Sequence, residues 1–133
     1  MKLEAVEGIG ETYAAKLRDA GITTTEDLLL RARSRSGRGM LAAASGIPER
    51  MILQWVNHCD LMRIDGVGPE YADLLEAAGV DSCLELAGRN AANLHEALSA
   101  RNESSPLVQR VPSVEMVQRW ISAAGTADRA VMH

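Results

Sequence analysis

A chain of 133 residues with 14 basic and 18 acidic side chains is long enough for one domain with a real core, or for two small modules sharing one. Hydrophobic residues make up 47% but aromatics only 3%, with no Phe, so the core must come from Ala, Leu, Val, Ile and Met, a composition that favours helices over strands. No apolar run approaches the roughly 20 residues that span a bilayer and no charged-then-apolar signal segment opens the chain, which points away from a membrane and predicts a soluble, cytoplasmic protein.

Leu3, Val6, Gly8, Ile9, Gly10, Ala14 and Leu17 set the first pattern. Leu3 and Val6 lie three apart on one face of a short helix expected over about Lys2 to Glu7, and Ala14 and Leu17 do the same on a second helix that ends at Gly21. Gly8 and Gly10 let the chain reverse between them, with Ile9 as an apolar plug. Thr23 and Thr24, each followed three residues on by Glu26 and Asp27, form a capping-box signature for a third helix through about Arg33.

Arg33 to Gly39, RSRSGRG, reads as a loop because of Gly37 and Gly39, and with Arg31 it places four arginines in eight positions. A fourth helix over about Met40 to Ser45 is closed by Gly46, and Pro48 is expected at the first position of a fifth. Met51, Ile52, Trp55, Val56 and Cys59 form the apolar face of that helix, with Arg50, Gln54 and Asn57 facing elsewhere. It feeds into Leu61 to Ile64 without a linker.

From there the first pattern recurs. A shift of 58 carries Gly8, Gly10, Tyr13, Ala14, Leu17 and Gly21 onto Gly66, Gly68, Tyr71, Ala72, Leu75 and Gly79. A shift of 65 carries Met51, Ile52, Trp55 and Val56 onto Met116, Val117, Trp120 and Ile121, so the second copy holds seven extra residues. All four aromatic residues are repeat-equivalent, as an internal duplication predicts. The second copy is expected to have helices over about Pro69 to Ala78, Ser82 to Arg89 (capped at Asp81 and Ser82) and Ala92 to Ala100. An exposed loop near Arg101 to Arg110 and a last helix from Pro112 and Ser113 complete it. Residues 126 to 133 are expected to fray. The expectation is an all-α fold: a single domain over 1–133, made of two tandem, pseudo-symmetric repeats, about 1–60 and 61–125.

The Gly-apolar-Gly stretches resemble a helix-hairpin-helix motif. Over nearly the whole chain, and most strongly in IPERMILQWVNHCDLMRIDGVGPEYADLLEAAGV and VPSVEMVQRWI, the order of parts resembles a bacterial family of tandem helix-hairpin-helix proteins catalogued as a domain of unknown function. That resemblance supplies a fold and no activity. Helix-hairpin-helix proteins in general grip a nucleic-acid phosphate with hairpin amides and the following helix N-terminus, without reading sequence. Carried over, the phosphate-facing positions are Gly8, Ile9, Gly10 and Thr12 in one copy and Gly66, Val67 and Gly68 in the other. The departure from the pattern lies just after the second glycine, where a Lys or Arg is usual. Here stand Glu11 and Thr12, and Pro69 and Glu70.

Arg31, Arg33, Arg35 and Arg38 are the candidates to supply the missing positive charge, against a reading as a solvated basic loop. Charge splits along the chain accordingly, at −3 over residues 1–30, +4 over 31–63 and −5 over 64–133. Tyr13, Tyr71, Trp55 and Trp120 are expected in the core, with the tyrosine hydroxyls at the surface, and Met40, Met51, Met62 and Met116 as gap-fillers. Cys59 and Cys83 do not correspond between copies and read as buried, reduced thiols.

Nothing in the pattern marks a catalytic site, a metal site or a cofactor. His58 and Cys59 are adjacent and point about 100° apart on a helix, and His95 and His133 are isolated. Glu7 and Asp65 precede the glycines and read as tuning the turn. A monovalent cation on the turn carbonyls is implied by the resemblance alone. Two readings therefore stand side by side, neither enzymatic: a module binding DNA or another nucleic acid through its backbone, and a protein-interaction or scaffold domain in which the hairpins are purely structural.

Overall fold

A computed structural model describes residues 1–133 as a single-turn 3-10 helix, Leu3–Ala5, followed by eight α-helices: α1 Glu11–Asp19, α2 Thr25–Arg31, α3 Arg35–Ser45, α4 Glu49–Leu61, α5 Pro69–Ala77, α6 Cys83–Ala87, α7 Ala91–Ser104 and α8 Val114–Thr126. There is no strand, only one antiparallel bridge between Lys2 and Thr24. None of the helices is long and apolar enough to cross a membrane. The chain divides into two compact units, one made of Met1–Asp60 with Ala130–His133, the other of Leu61–Arg129.

In the first unit, α1 packs on the 3-10 turn and on α3, and α2 packs on α3. The first helix is shorter than its apolar spacing suggests, because six residues cannot sustain an isolated α-helix and Lys2 is drawn into the bridge with Thr24. Leu3, Val6, Ile9, Ala14 and Leu17 are all buried, as their spacing requires. Gly21 closes α1 at φ +91 while Ile22 packs beneath and donates to the Leu17 carbonyl at 2.9 Å, the hydrogen-bond pattern of a left-handed helix stop. Thr24 and Asp27 form the capping box of α2, and the Thr23 hydroxyl, at 2.6 Å, is the main reason the Asp27 carboxyl is held below its ordinary range.

The expected loop over Arg33 to Gly39 is instead helix. Ser34 accepts from the Gly37 amide at 3.1 Å and starts α3 two residues after Arg33. Gly37 is in the helix because nothing larger fits: a Cβ there would stand 2.2 Å from the Arg31 carbonyl oxygen at the end of α2. Helix α3 ends at Gly46, φ +76, and α4 begins at Glu49, one residue later than expected, with the Pro48 carbonyl accepting from Ile52. Ile52, Trp55, Val56 and Cys59 are buried as expected, and so is Asn57, which was expected to face elsewhere. Met40 is 74% exposed and fills no gap in the core.

The tail expected to fray is held. Val131 is buried, the Met132 amide donates to the Arg33 carbonyl at 2.7 Å, and His133 Nε2 lies 3.0 Å from Asn57 Oδ1.

In the second unit α6 and α7 pack on α8, and α5 packs on α7, around Leu75, Val80, Leu86, Leu94, Leu98, Val117 and Trp120. Helix α7 runs four residues past its expected end, through Ser104, so the polar stretch RNES is helical. Asn102, which reads as a loop residue, is buried. Its side chain accepts from the Leu107 and Val108 amides at 2.7 and 3.0 Å and donates to the Val108 carbonyl at 3.0 Å, shaping the turn after α7.

Candidate nucleic-acid interface

The two Gly-apolar-Gly turns have one local geometry. Gly8 and Gly66 sit at φ +93 and +90, Gly10 and Gly68 at φ −90 and −89 with extended ψ. Ile9 donates to Val6 and Val67 donates to Ile64, both at 3.0 Å, and Gly10 and Gly68 each accept from the fourth residue on at 2.9 Å. An indole roofs each turn. Trp55 Nε1 lies 3.2 Å from the place a Cβ on Gly8 would take, and Trp120 Nε1 lies 3.2 Å from that of Gly66. Each tryptophan in turn meets the tyrosine of the following helix, Tyr13 or Tyr71, at a ring separation of 5.2 Å. The Tyr71 hydroxyl donates to the Arg110 carbonyl at 3.1 Å.

This geometry sorts the phosphate-facing candidates. Ile9 and Val67 are buried and their amides are already spent on Val6 and Ile64, so neither offers an N–H outward. Gly8, Gly10, Thr12 and Gly66 are exposed, and Gly68 is half-buried. What remains at each turn is the start of the following helix. Here lies a contrast that sequence patterning alone did not bring out: α2, α3, α6, α7 and α8 are each capped by a side-chain oxygen, from Thr24, Ser34, Ser82, Asn90 and Ser113, whereas α1 and α5 begin at Gly10 and Gly68 with no side-chain cap. Neither glycine is required by its own surroundings. Both have a φ any residue adopts, and a Cβ on either would meet nothing within 4 Å.

The arginines divide. Arg31 and Arg33 are exposed, and the Arg31 Nη1 atom lies 3.7 Å from the Cβ position of Gly21, beside the α1 stop. Arg89, 58 positions on, donates to the Gly79 carbonyl at 3.2 Å and to Glu85 Oε1 at 3.1 Å. Arg35 is exposed but donates from Nε to the His133 carbonyl at 2.8 Å. Arg38 is no ligand for an outside anion. Only 4% exposed, it donates to the carbonyls of Ala32 and Arg33 at 3.1 Å and of Met132 at 2.8 Å, and burial, then Arg35, lower its proton affinity. An arginine run reads as solvated when the carbonyl that meets it lies 94 residues away.

Charge separates the two turns. The first unit carries eight basic and eight acidic side chains, the second six and ten. Thr12 on α1 is matched by Glu70 on α5, and Arg18 by Glu76. Arg18 binds both Glu4 oxygens, at 2.8 and 2.9 Å, and that hydrogen-bonded pairing holds the Glu4 carboxyl below its ordinary range. The Lys16 ammonium stands 5.7 Å from the Tyr13 ring centroid. Both cysteines are buried, and no disulfide joins them.

Eight helices without a strand, and a glycine turn of one geometry opening both α1 and α5, define an all-α protein built from a repeated local device. The chain belongs to the family described as Domain of unknown function (DUF4332), whose model matches residues 7–127. No curated protein and no solved structure matches it.

Proposed function

We propose that this chain is a non-enzymatic binding module in which the two glycine turns are helix-hairpin-helix turns, in tandem pseudo-symmetric repeats, and in which the turn of the first unit grips nucleic-acid backbone without reading sequence. The observation that carries this reading is the forgone cap. Ser, Asp or Asn at position 10 would fit the backbone and satisfy one open amide, a gain over glycine of about a few tenths of a kcal/mol, yet both copies of the repeat keep glycine there. A bare N-cap leaves first-turn amides and the positive end of the helix dipole open to an anion that approaches closely. Each turn has one first-turn carboxylate, Glu11 or Glu70, but the electrically balanced first unit, with Arg31 and Arg33 at its surface, suits a phosphate better than the second, which has four more acidic than basic side chains.

The test is a titration of labelled duplex DNA across a salt series. The wild type should bind saturably near 20 mM salt, about that low because each neutralised phosphate adds about 0.9 to the log–log salt slope. Gly10→Ser should raise stability while weakening DNA binding, and Arg31→Ser with Arg33→Ser should flatten the slope. Absence of binding at low salt, or a Gly10→Ser variant that binds like the wild type, overturns the reading. The second reading, a protein-interaction or scaffold domain, is favoured by exposed Glu11 directly beside Gly10; it expects no DNA binding and a protein partner recovered instead.

A further inference from the structure

The longer connection before the last helix of the second copy walls a groove that the first copy has no matching segment to build. Three residues separate α3 from α4, but nine separate α7 from α8, and these wall one side of an open groove of about 910 Å³ in the second unit, facing the first turn of α5. That volume is in the range of ligand clefts, roughly 300–1,000 Å³.

The groove is pre-formed. Asn102 fixes the wall through its three hydrogen bonds to Leu107 and Val108, Arg101 Nη1 donates to the Ser105 carbonyl at 3.0 Å, and the Tyr71 hydroxyl ties α5 to the Arg110 carbonyl. Its lining joins the apolar surfaces of Tyr71, Pro106 and Leu107 to the carboxylates of Glu70 and Glu103, with Arg110 as the single cation. The unit around it has four more acidic than basic side chains.

We propose that this groove docks a cationic peptide segment of a partner protein, an extended stretch whose Arg or Lys side chains lie between Glu70 and Glu103 while its aliphatic parts cover Tyr71 and Leu107. Charge complementarity names the occupant. An anion, nucleic acid included, would meet two carboxylates at the groove and a surplus of them around it, whereas a guanidinium or ammonium finds opposite charge, and an aromatic ring that favours cations. A wall held by internal hydrogen bonds need not be ordered on binding, which lowers the entropic cost of a weak peptide contact.

The probe is a fluorescein-labelled octapeptide of alternating Arg and Gly, titrated into the full chain at physiological salt, with an alternating Glu and Gly octapeptide as the control. Saturable anisotropy is expected with the cationic peptide alone. Glu70→Gln combined with Glu103→Gln should weaken binding about fivefold to tenfold, because two charge pairs are lost. Glu96→Gln with Glu115→Gln removes the same charge from exposed positions outside the groove lining and should change it less than about twofold. Amide chemical-shift mapping on the unmodified protein should place the perturbations on residues 70–71 and 102–110. No saturable binding, equal loss in both double variants, or shifts centred elsewhere would overturn the proposal. The DNA titration reads the first unit and the peptide titration the second, so either can fail alone.

Discussion

Trp55 lays its indole nitrogen over Gly8, 3.2 Å from where a Cβ would stand, so the core and the exposed turn of the first unit meet at one contact. Gly8 is constrained twice, by φ +93 and by that indole, which is 2% exposed and has little room to retreat. Gly8→Ala should therefore destabilise by about 1–3 kcal/mol. Gly66→Ala, at φ +90 under Trp120, should do the same, and Gly10→Ala should cost under about 1 kcal/mol, because only a modest cap preference is lost. Urea midpoints of the three variants check this, and equal values would show that the roof of the turn yields.

Gly37→Ala should reverse the usual helix rule. In a helix interior the exchange ordinarily stabilises by roughly 0.5–1 kcal/mol. Here the new methyl would stand 2.2 Å from the Arg31 carbonyl oxygen, backbone that cannot move without shifting α2 against α3. Thermal unfolding should show a lower Tm for this variant, and a higher Tm would mean that the two helices are free to slide.

Arg38→Leu should cost about 2–4 kcal/mol, since it strips a buried cation from three carbonyls. Arg31→Ser, at the surface, should stay within about 0.5 kcal/mol. Chemical denaturation of the pair measures the contrast. Replacing all four arginines together would thus confuse loss of binding with loss of fold.

Cys59 should resist thiol reagents in the folded protein. Burial first, then the charges of Glu26 and Asp60, push its thiol up to about 12, so almost no thiolate exists at pH 8. The sign for stability follows: the folded state keeps a proton that the unfolded chain releases, so the contribution is complete below the ordinary thiol pKa and is lost as pH rises through the range from about 9 to 12. Labelling in native buffer should be slow and become fast in denaturant. Cys59→Ala should lose less stability than the wild type between pH 8 and 10; identical pH profiles would mean the thiol is solvated.

Much of this fold is legible in the residues because its devices are local. The glycine turns, the Thr24 and Ser82 caps, Pro69 at the first position of α5 and the two tryptophans all declare themselves within a few positions of what they do. The rest is set by distant partners. Gly37 reads as a loop former until the end of α2 is placed against it, Arg38 reads as solvated until Met132 supplies a carbonyl, and Asn102 reads as a loop residue until Val108 folds back on it. The bare N-caps at Gly10 and Gly68 are visible in the residues, but only by comparison with the five helices that have a capping side chain.

Residues 130–133 belong to the unit that begins the chain, so the second unit, Leu61–Arg129, is a guest spliced into a host whose two segments flank it. On a ribosome the order of synthesis and the order of completion then differ. The host's long segment emerges before the guest, yet the carbonyls of Met132 and His133 that Arg38 and Arg35 require follow it, while the guest holds all its own core once Arg129 has been made. Truncating the last four residues should therefore leave the guest intact and loosen the host, although the missing segment lies at the far end of the chain from most of the residues it steadies.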